Sequence, residues 1–532
     1  MIKGKNRSYQ PLNFALILIA GIFIGMIIHK TPRQESLFLM PRSDKFNTVM
    51  QYIKEEYVDS VNPSKLTEDA LMAMLKELDP HSVYIPASEL QAVNEPIEGG
   101  FFGIGVQFNM QNDTAVIINT IPNGPSAKLG LAAGDRIVRV NDSIVAGIKL
   151  SSDKIVKKLK GPRGTIVKVG IFRPGRKKEL SFTITRDRIP LYSVDASYMI
   201  EKNIGFIKIS QFSKTTSKEF IEAVTELHKK GMKKLIIDLR GNGGGLLDAA
   251  IKVADQFLDA NKLIVYTQGR TKPRENYYAT SDGVCQNDSV IILIDELTAS
   301  ASEILAGAIQ DNDRGKIIGR RSFGKGLVQD QTVFTDGSGL RLTIARYYTP
   351  TGRCIQKPYN KGIDDYYRDL SNRIEHGEME SKDSIHFKDT TKYITGKGKV
   401  LYGGGGIMPD VFIPYDTTAF SPYYAAVRDL GLIYRFSFEY SDGNRKKLKN
   451  FKKWQDLDKY LQSQKLLPSF IQYAAKSQIQ KRDKDLKKSG QIIEIQIRAN
   501  IVRNYFNDAG FYQVIQKIDN VLQRGTAILA KE

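Results

Sequence analysis

The stretch LTASASEILAGAIQDNDRGKIIGRRSFGKGLVQ, residues 297–329, decides the reading of this chain. An apolar run, VIILID at residues 290–295, leads into it and reads as a buried strand. A small-residue elbow follows, TASAS at 298–302. Next comes a predicted helix with Ile304, Leu305, Ala308 and Ile309 on one face. A second apolar pair, Ile317 and Ile318, leads to SFGKG at 322–326. A serine at a strand-to-helix elbow exposes its hydroxyl beside backbone N–H groups that can hold an oxyanion. Serine and threonine are also favoured helix N-caps, so the elbow taken alone is an ordinary helix start.

A nucleophilic serine needs a base, and histidine is scarce. His29, His81, His228, His376 and His386 are the only five, and none stands in a context such as G-x-S-x-G followed by a later His. Lys325 lies between two glycines, which let the backbone approach closely. An amine stripped of water there has a depressed pKa and acts as a general base; the plain alternative is a solvated surface lysine. Lys325 and Gln329 are four apart in an expected strand and so share a face, which lets Gln329 hold the amine. Between Ser300 and Ser302 the residues alone do not choose.

SASEILAGAIQD followed by GRRSFGKGLVQ resembles the C-terminal processing peptidases, or tail-specific proteases, which are Ser–Lys endopeptidases carrying a PDZ domain. The resemblance implies an α/β catalytic core of the crotonase/Clp-protease kind. It makes Ser300 the nucleophile, Lys325 the base 25 residues on, and Gln329 the third member. It implies no metal and no organic cofactor.

Upstream, KKLIIDLR at 233–240 reads as a strand and GNGGG at 241–245 as the turn into a helix. Gly241 and Gly243 fit a dinucleotide fingerprint, but Leu246 stands where the third glycine belongs, and the Walker lysine is missing. DLRGNGGG instead resembles the family's strand-end loop, which supplies an oxyanion-hole N–H. That donor is carried to Gly244, with Gly243 the close alternative and the N–H of Ala301 as the second donor.

Further upstream, residues 97–188 read as a small β-rich domain with helices at 126–129 and 152–159. The order resembles a PDZ domain, which adds a peptide strand to a sheet edge and holds its terminal carboxylate on backbone N–H groups. The matching loop is Gly103, Ile104, Gly105 and Val106, with Ile155 and Leu159 shaping an apolar pocket. LDPHSVYIP at 78–86 resembles the segment before that domain, and His81 is read there as structural. Residues 31–96 are expected to form a linker and a helical N-terminal domain, with Thr67 capping its second helix.

Residues 1–30 carry Lys3, Lys5 and Arg7 and then an apolar run from Phe14 to Ile28. This is near the lower limit for a spanning helix. No small-x-small cleavage site follows, so the segment is expected to be an uncleaved signal-anchor with its basic end in the cytoplasm. For the family this implies a single pass through a bacterial inner membrane, with the catalytic part in the periplasm.

Downstream, residues 189–415 form the expected catalytic core. LRLTIARYYTPTGRCIQ and GGGGIMPDVFIP match the family, and the polar stretch 357–399 reads as an insertion. Residues 416–532 are expected to be a helical accessory domain. The chain is basic, 78 Lys and Arg against 58 Asp and Glu, but no nucleic-acid motif accompanies the charge. Cys285 and Cys354 are too few for a disulfide framework and suit no metal site.

The fold class is therefore α/β and β multidomain. It comprises an N-terminal membrane anchor, a helical segment, a PDZ domain, the α/β core and a helical C-terminal domain. The expected partners are protein substrates with apolar C-termini and the membrane; a homo-oligomer or an adaptor is left open. The rival reading is a non-catalytic PDZ scaffold that holds envelope proteins by their tails.

Overall fold

The computed structural model describes Ala15 and residues 17–24, 45–386 and 389–532. Ala15 and residues 17–24 are helical. The rest of the expected anchor, Phe14, Leu16 and residues 25–28, lies outside the described residues, and among those described no helix is long and apolar enough to cross a membrane. The chain forms two compact units, residues 1–74 and 75–532. The first holds the helix Lys45–Glu56, none of whose residues is buried. It also holds most of the helix Pro63–Lys76. That second helix starts four residues before Thr67. Asn62 accepts the Lys65 N–H at 3.2 Å and Pro63 occupies the first turn, where its missing N–H costs nothing. Thr67 sits inside the helix and donates to the Pro63 carbonyl.

The second unit is built on a six-stranded sheet whose spatial order follows the chain. Its strands are β1 (Val194–Glu201), β2 (Ile204–Ile209), β3 (Lys234–Asp238), β4 (Ser289–Ile294), β5 (Lys316–Gly319) and β6 (Val411–Phe412). β1 runs antiparallel to β2; the remaining pairs are parallel. Three helices connect the parallel strands: α1 (Thr216–Lys229), α2 (Leu247–Asp255) and α3 (Ala301–Asp311). The strands are apolar on both faces, as a sheet covered on both sides requires. Leu235, Ile237, Val290, Ile292 and Ile317 pack with α1, α2 and α3, while Ile236, Ile291, Leu293 and Ile318 form a separate cluster on the opposite face.

That opposite face is covered by the end of the chain. Val521, Leu522 and Leu529 of the helix Asn520–Lys531 belong to its cluster, with Ala509 and Tyr512 packed against it. The long helix Asp483–Ile515 is broken at Phe506 and Asn507, the latter with φ 54°. Before the break the helices from Pro422 onward share a core of their own, including Phe436, Leu457, Phe470, Ile493 and Val502. The C-terminal region thus both forms a helical bundle and covers the second face of the central sheet. Arg240, just past β3, binds both oxygens of Asp519 at 2.9 and 2.6 Å, and Asp519 caps the last helix by accepting the Leu522 N–H.

A second, five-stranded sheet stands beside the first, in the order Val83–Ile85, Gly339–Tyr348, Leu263–Gln268 and Glu275–Tyr278. Leu327–Val333 also pairs with Gly339–Tyr348. The β-rich domain has the edge strand Val106–Gln111 paired on one side only, with Thr114–Thr120, and the facing helix Ser152–Leu159 begins and ends where the sequence placed it. The polar insertion is folded: it holds the helix Ile363–Glu375 and the short pair Lys392–Ile394 and Val400–Tyr402. Some of its charges face inward: Glu378 is shared by Arg373 of the insertion and Arg321 of the core, at 3.1 and 2.7 Å. Both cysteines are free.

Candidate active site

The apolar strand β4 drives the chain into the elbow, and every residue of α3 is buried. Ser300 is the N-cap of that helix with φ 55° and ψ −119°. A non-glycine residue in that region costs on the order of 1–3 kcal/mol and persists only where its surroundings hold it. Glu303 is one restraint: its Oε2 accepts the Ser300 N–H at 2.8 Å. The same carboxylate accepts the Lys325 N–H at 2.9 Å, the Gly324 N–H at 2.8 Å and the Ser322 hydroxyl at 2.5 Å. Burial pushes its carboxyl up to about 7, against the four hydrogen bonds that favour the charged form. Tyr347 is the other restraint. Its buried hydroxyl bridges the carbonyl oxygens of Ser300, at 3.0 Å, and Lys325, at 2.6 Å.

Ser300, Ala301, Lys325 and Gln329 all line one cleft of about 630 Å³. Its walls include Leu246, Leu247, Ile304, Leu327 and Val328, with Asn94, Asp330 and Arg341 among the polar groups. No histidine is among its lining residues. Burial lowers the pKa of the Lys325 amine, and the nearby Arg341 charge lowers it further, while Asp79 and Glu303 oppose the shift. A desolvated amine next to a guanidinium is the setting that favours a neutral lysine.

The strand argument for Lys325 and Gln329 succeeds by a different route. Lys325 precedes the strand, which starts at Leu327, and a register shift falls between Val328 and Gln329. Both side chains reach the cleft because of the glycine turn and the bulge, not because of strict alternation. Gln329 Nε2 donates to Thr343 Oγ1 at 3.2 Å, and Thr343 Oγ1 donates to Asp79 at 3.0 Å. Asp79 also accepts the His81 N–H and the Ser82 hydroxyl. The segment 78–82 therefore stands directly behind the site. His81 itself lies 3.0 Å from the Tyr366 hydroxyl, and burial, with the Lys325 charge, lowers its pKa to about 4.

The two elbow serines separate. Ser302 is fully buried and donates to the Asn242 carbonyl at 3.1 Å, whereas Ser300 faces the cleft. Asn242 organises the glycine loop. Its carbonyl also accepts the Ala299 N–H at 3.0 Å, and its amide donates to Ile209. Its Oδ1 accepts the Gly244 N–H at 2.8 Å. Gly244, at φ +100°, packs so closely that an added Cβ would lie 2.7 Å from that of Ser300, but its N–H is directed to Asn242 and not to the cleft. Gly243 lines the cleft.

In the β-rich domain the loop Gly103–Val106 is tied down by Ser126, whose N–H and hydroxyl both donate to the Ile104 carbonyl. Ile155 and Leu159 are wholly enclosed in that domain's core together with Ile104, so they form the floor behind the groove. Sequence reasoning missed Glu303, Tyr347, Arg341, Asp79 and Asn242. Ser300 and Glu303 make an S-x-x-E capping-box spacing, which could have revealed Glu303; Asn242 stands inside the glycine loop already singled out, and the others come from distant segments and carry no local signal.

Three family models bear directly on these elements. Residues 203–367 match peptidase family S41, residues 103–184 match PDZ domains, and residues 27–88 match the N-terminal domain of the activating protease CtpB. Residues 423–507 match a family of unknown function. A carboxy-terminal-processing protease of Bartonella bacilliformis is 37% identical over 317 residues, 59% of this chain and 72% of that protein. Carboxy-terminal processing protease CtpB of Bacillus subtilis is 36% identical over 324 residues, covering 60% of this chain and 66% of that protein. Among solved structures, the photosystem II D1 C-terminal processing protease aligns with 28% identity over 70% of this chain and 87% of that one, with a TM-score of 0.37. With its PDZ domain and its matches to relatives of this kind, the chain belongs to the carboxy-terminal processing proteases of peptidase family S41, which are serine-type endopeptidases.

Proposed function

We propose that this chain is a membrane-anchored endopeptidase that cuts proteins near their C-termini, with Ser300 and Lys325 as its dyad. The observation that carries the reading is the shared cleft, in which a serine at a strained elbow and a buried lysine of lowered pKa are clasped by one carboxylate and one tyrosine. In this mechanism neutral Lys325 takes the Ser300 proton as the hydroxyl oxygen attacks the scissile carbonyl. The Lys325 ammonium then protonates the leaving amine, and the neutral amine activates the water that releases the acyl-enzyme. The Ala301 N–H, at the open start of α3, is one oxyanion donor. Gly243, which lines the cleft, supplies the other, and Gly244 joins only if it leaves Asn242. The PDZ groove takes an apolar tail by strand addition. The anchor reading rests on the apolar run 14–28, and with it go the inner-membrane and periplasmic assignments.

The test is cleavage of an unfolded substrate with an apolar C-terminus. Ser300→Ala is expected to lose activity by at least about a thousandfold. Ser302→Ala loses one buried hydrogen bond, costs about 1 kcal/mol of stability and keeps its activity. The opposite pattern would overturn the choice of nucleophile. Binding of the tail without cleavage by the unmutated chain would favour the scaffold.

The pH profile gives an independent check. Lys325 must be neutral to act as base, so activity falls on the acid side as it protonates. Arg341 is one of the causes of the lowered pKa. Arg341→Gln removes that charge, so the Lys325 pKa rises and the acid limb of kcat/KM moves to higher pH. A limb that stays in place or moves the other way would argue against Lys325 as the titrating group.

A further inference from the structure

The unpaired strand edge of the PDZ domain does not end in solvent. Val106–Gln111 is six residues long, and its far end turns back through Asn112 and Asp113, both at positive φ. There a cleft of about 520 Å³ lies between Asn109, Met110, Gln111 and Asn112 on one side and the helical bundle on the other. The bundle contributes Gly431, Tyr434, Arg435, Phe438 and Glu439 from the segment 431–443, and Tyr473. Tyr434 is 40% exposed, and Tyr473 donates to Glu439 at 2.9 Å. The buried Gln111 Oε1 has no hydrogen-bond donor among the described residues.

The position of this cleft follows from the direction of a bound tail. A terminal carboxylate held at Gly103–Val106 places the last residue of the tail at the start of the strand. Upstream residues then run along the edge toward Gln111, with the added strand antiparallel to Val106–Gln111. At roughly 3.3 Å per residue, about six residues of tail cover the edge, and those before them enter the cleft against Tyr434 and Arg435.

We propose that the helical bundle is a second reading site for the substrate, holding the extended polypeptide immediately upstream of the tail that the PDZ domain captures. This rests on tail capture at Gly103–Val106. It gives residues 423–507, which match a family of unknown function, a binding role. The occupant is unfolded polypeptide, because only an extended chain continues the added strand into a cleft lined by a tyrosine ring and an arginine.

The test measures binding to the full chain carrying Ser300→Ala, so that peptides survive. The probes are a labelled alanine–valine peptide of about six residues with a free C-terminal carboxylate, and its extension to about twelve residues. The longer peptide is expected to bind about fivefold tighter or better, a gain of about 1 kcal/mol. Tyr434→Ala and Arg435→Ala, on the bundle surface, are expected to remove that gain and leave the short peptide unchanged. Equal affinity of the two peptides overturns the second site while tail capture stands, as does a gain that survives both substitutions. Failure of the short peptide to bind overturns tail capture itself, and the second site falls with it.

Discussion

Replacing Lys325 by alanine is expected to lower cleavage by at least about a thousandfold without unfolding the protein. General bases contribute roughly a hundred- to ten-thousandfold, and here no histidine among the described residues lines the cleft to substitute for the amine. The backbone at this position is fixed by its N–H on Glu303 and its carbonyl on Tyr347, neither of which needs the side chain. The variant should therefore keep the thermal transition of the unmutated chain, or gain on it, because it no longer buries an amine. Assay of kcat/KM across the pH range separates this from a protonation effect: the loss should persist on the alkaline side. Recovery of activity at high pH would show that another group is the base.

Replacing Glu303 by alanine is expected to cost both stability and activity. The change strands the N–H groups of Ser300, Gly324 and Lys325 and the hydroxyl of Ser322 in a buried pocket. An unsatisfied buried polar group costs about 1–3 kcal/mol. With partial relaxation the sum should be on the order of 3–5 kcal/mol, or a Tm roughly 10 °C lower. Ser322 also receives the Ile407 N–H on its Oγ at 2.6 Å, so the return segment of the core loosens as well. At a temperature where the variant is still folded, turnover should remain depressed, because Tyr347 alone then holds Ser300 at φ 55° against its own strain. Glu303→Gln keeps one acceptor and should fall between the two. A variant that melts normally and cuts normally would remove Glu303 from the account.

The parts of this fold that the sequence carried are those with a local physical signature. Strand β4, the elbow and α3 come from one continuous apolar pattern. The PDZ helix Ser152–Leu159 shows its amphipathic period openly, and Ser300, Lys325 and Gln329 stand out once their spacing is set beside a family. The supporting groups were not legible because they arrive from elsewhere. Tyr347 lies in a strand that reads simply as amphipathic, Arg341 six residues before it, and Asp79 more than two hundred residues from Gln329. The insertion looked like a solvated loop because Arg373 and Glu378 are polar in sequence whether they face water or, as here, each other and Arg321. Gly244 shows the limit of carrying a role along a motif: the position matches, but Asn242 takes its N–H.

The helix that covers the second face of the central sheet has a consequence for the timing of synthesis. Strand β5 ends at Gly319 and the covering helix begins at Asn520, about 200 residues later. At roughly 5–20 residues per second, a ribosome holds β2 to β5 for about 10–40 seconds before their lid emerges. Through that interval Ile236, Ile291 and Leu293 lack their apolar cover, and Arg240 lacks the Asp519 carboxylate that moors the loop after β3. The glycine loop, already held through Asn242, gains its last mooring only when that helix docks. The catalytic layer therefore receives its last support well after the elbow, Lys325 and the glycine loop have been made.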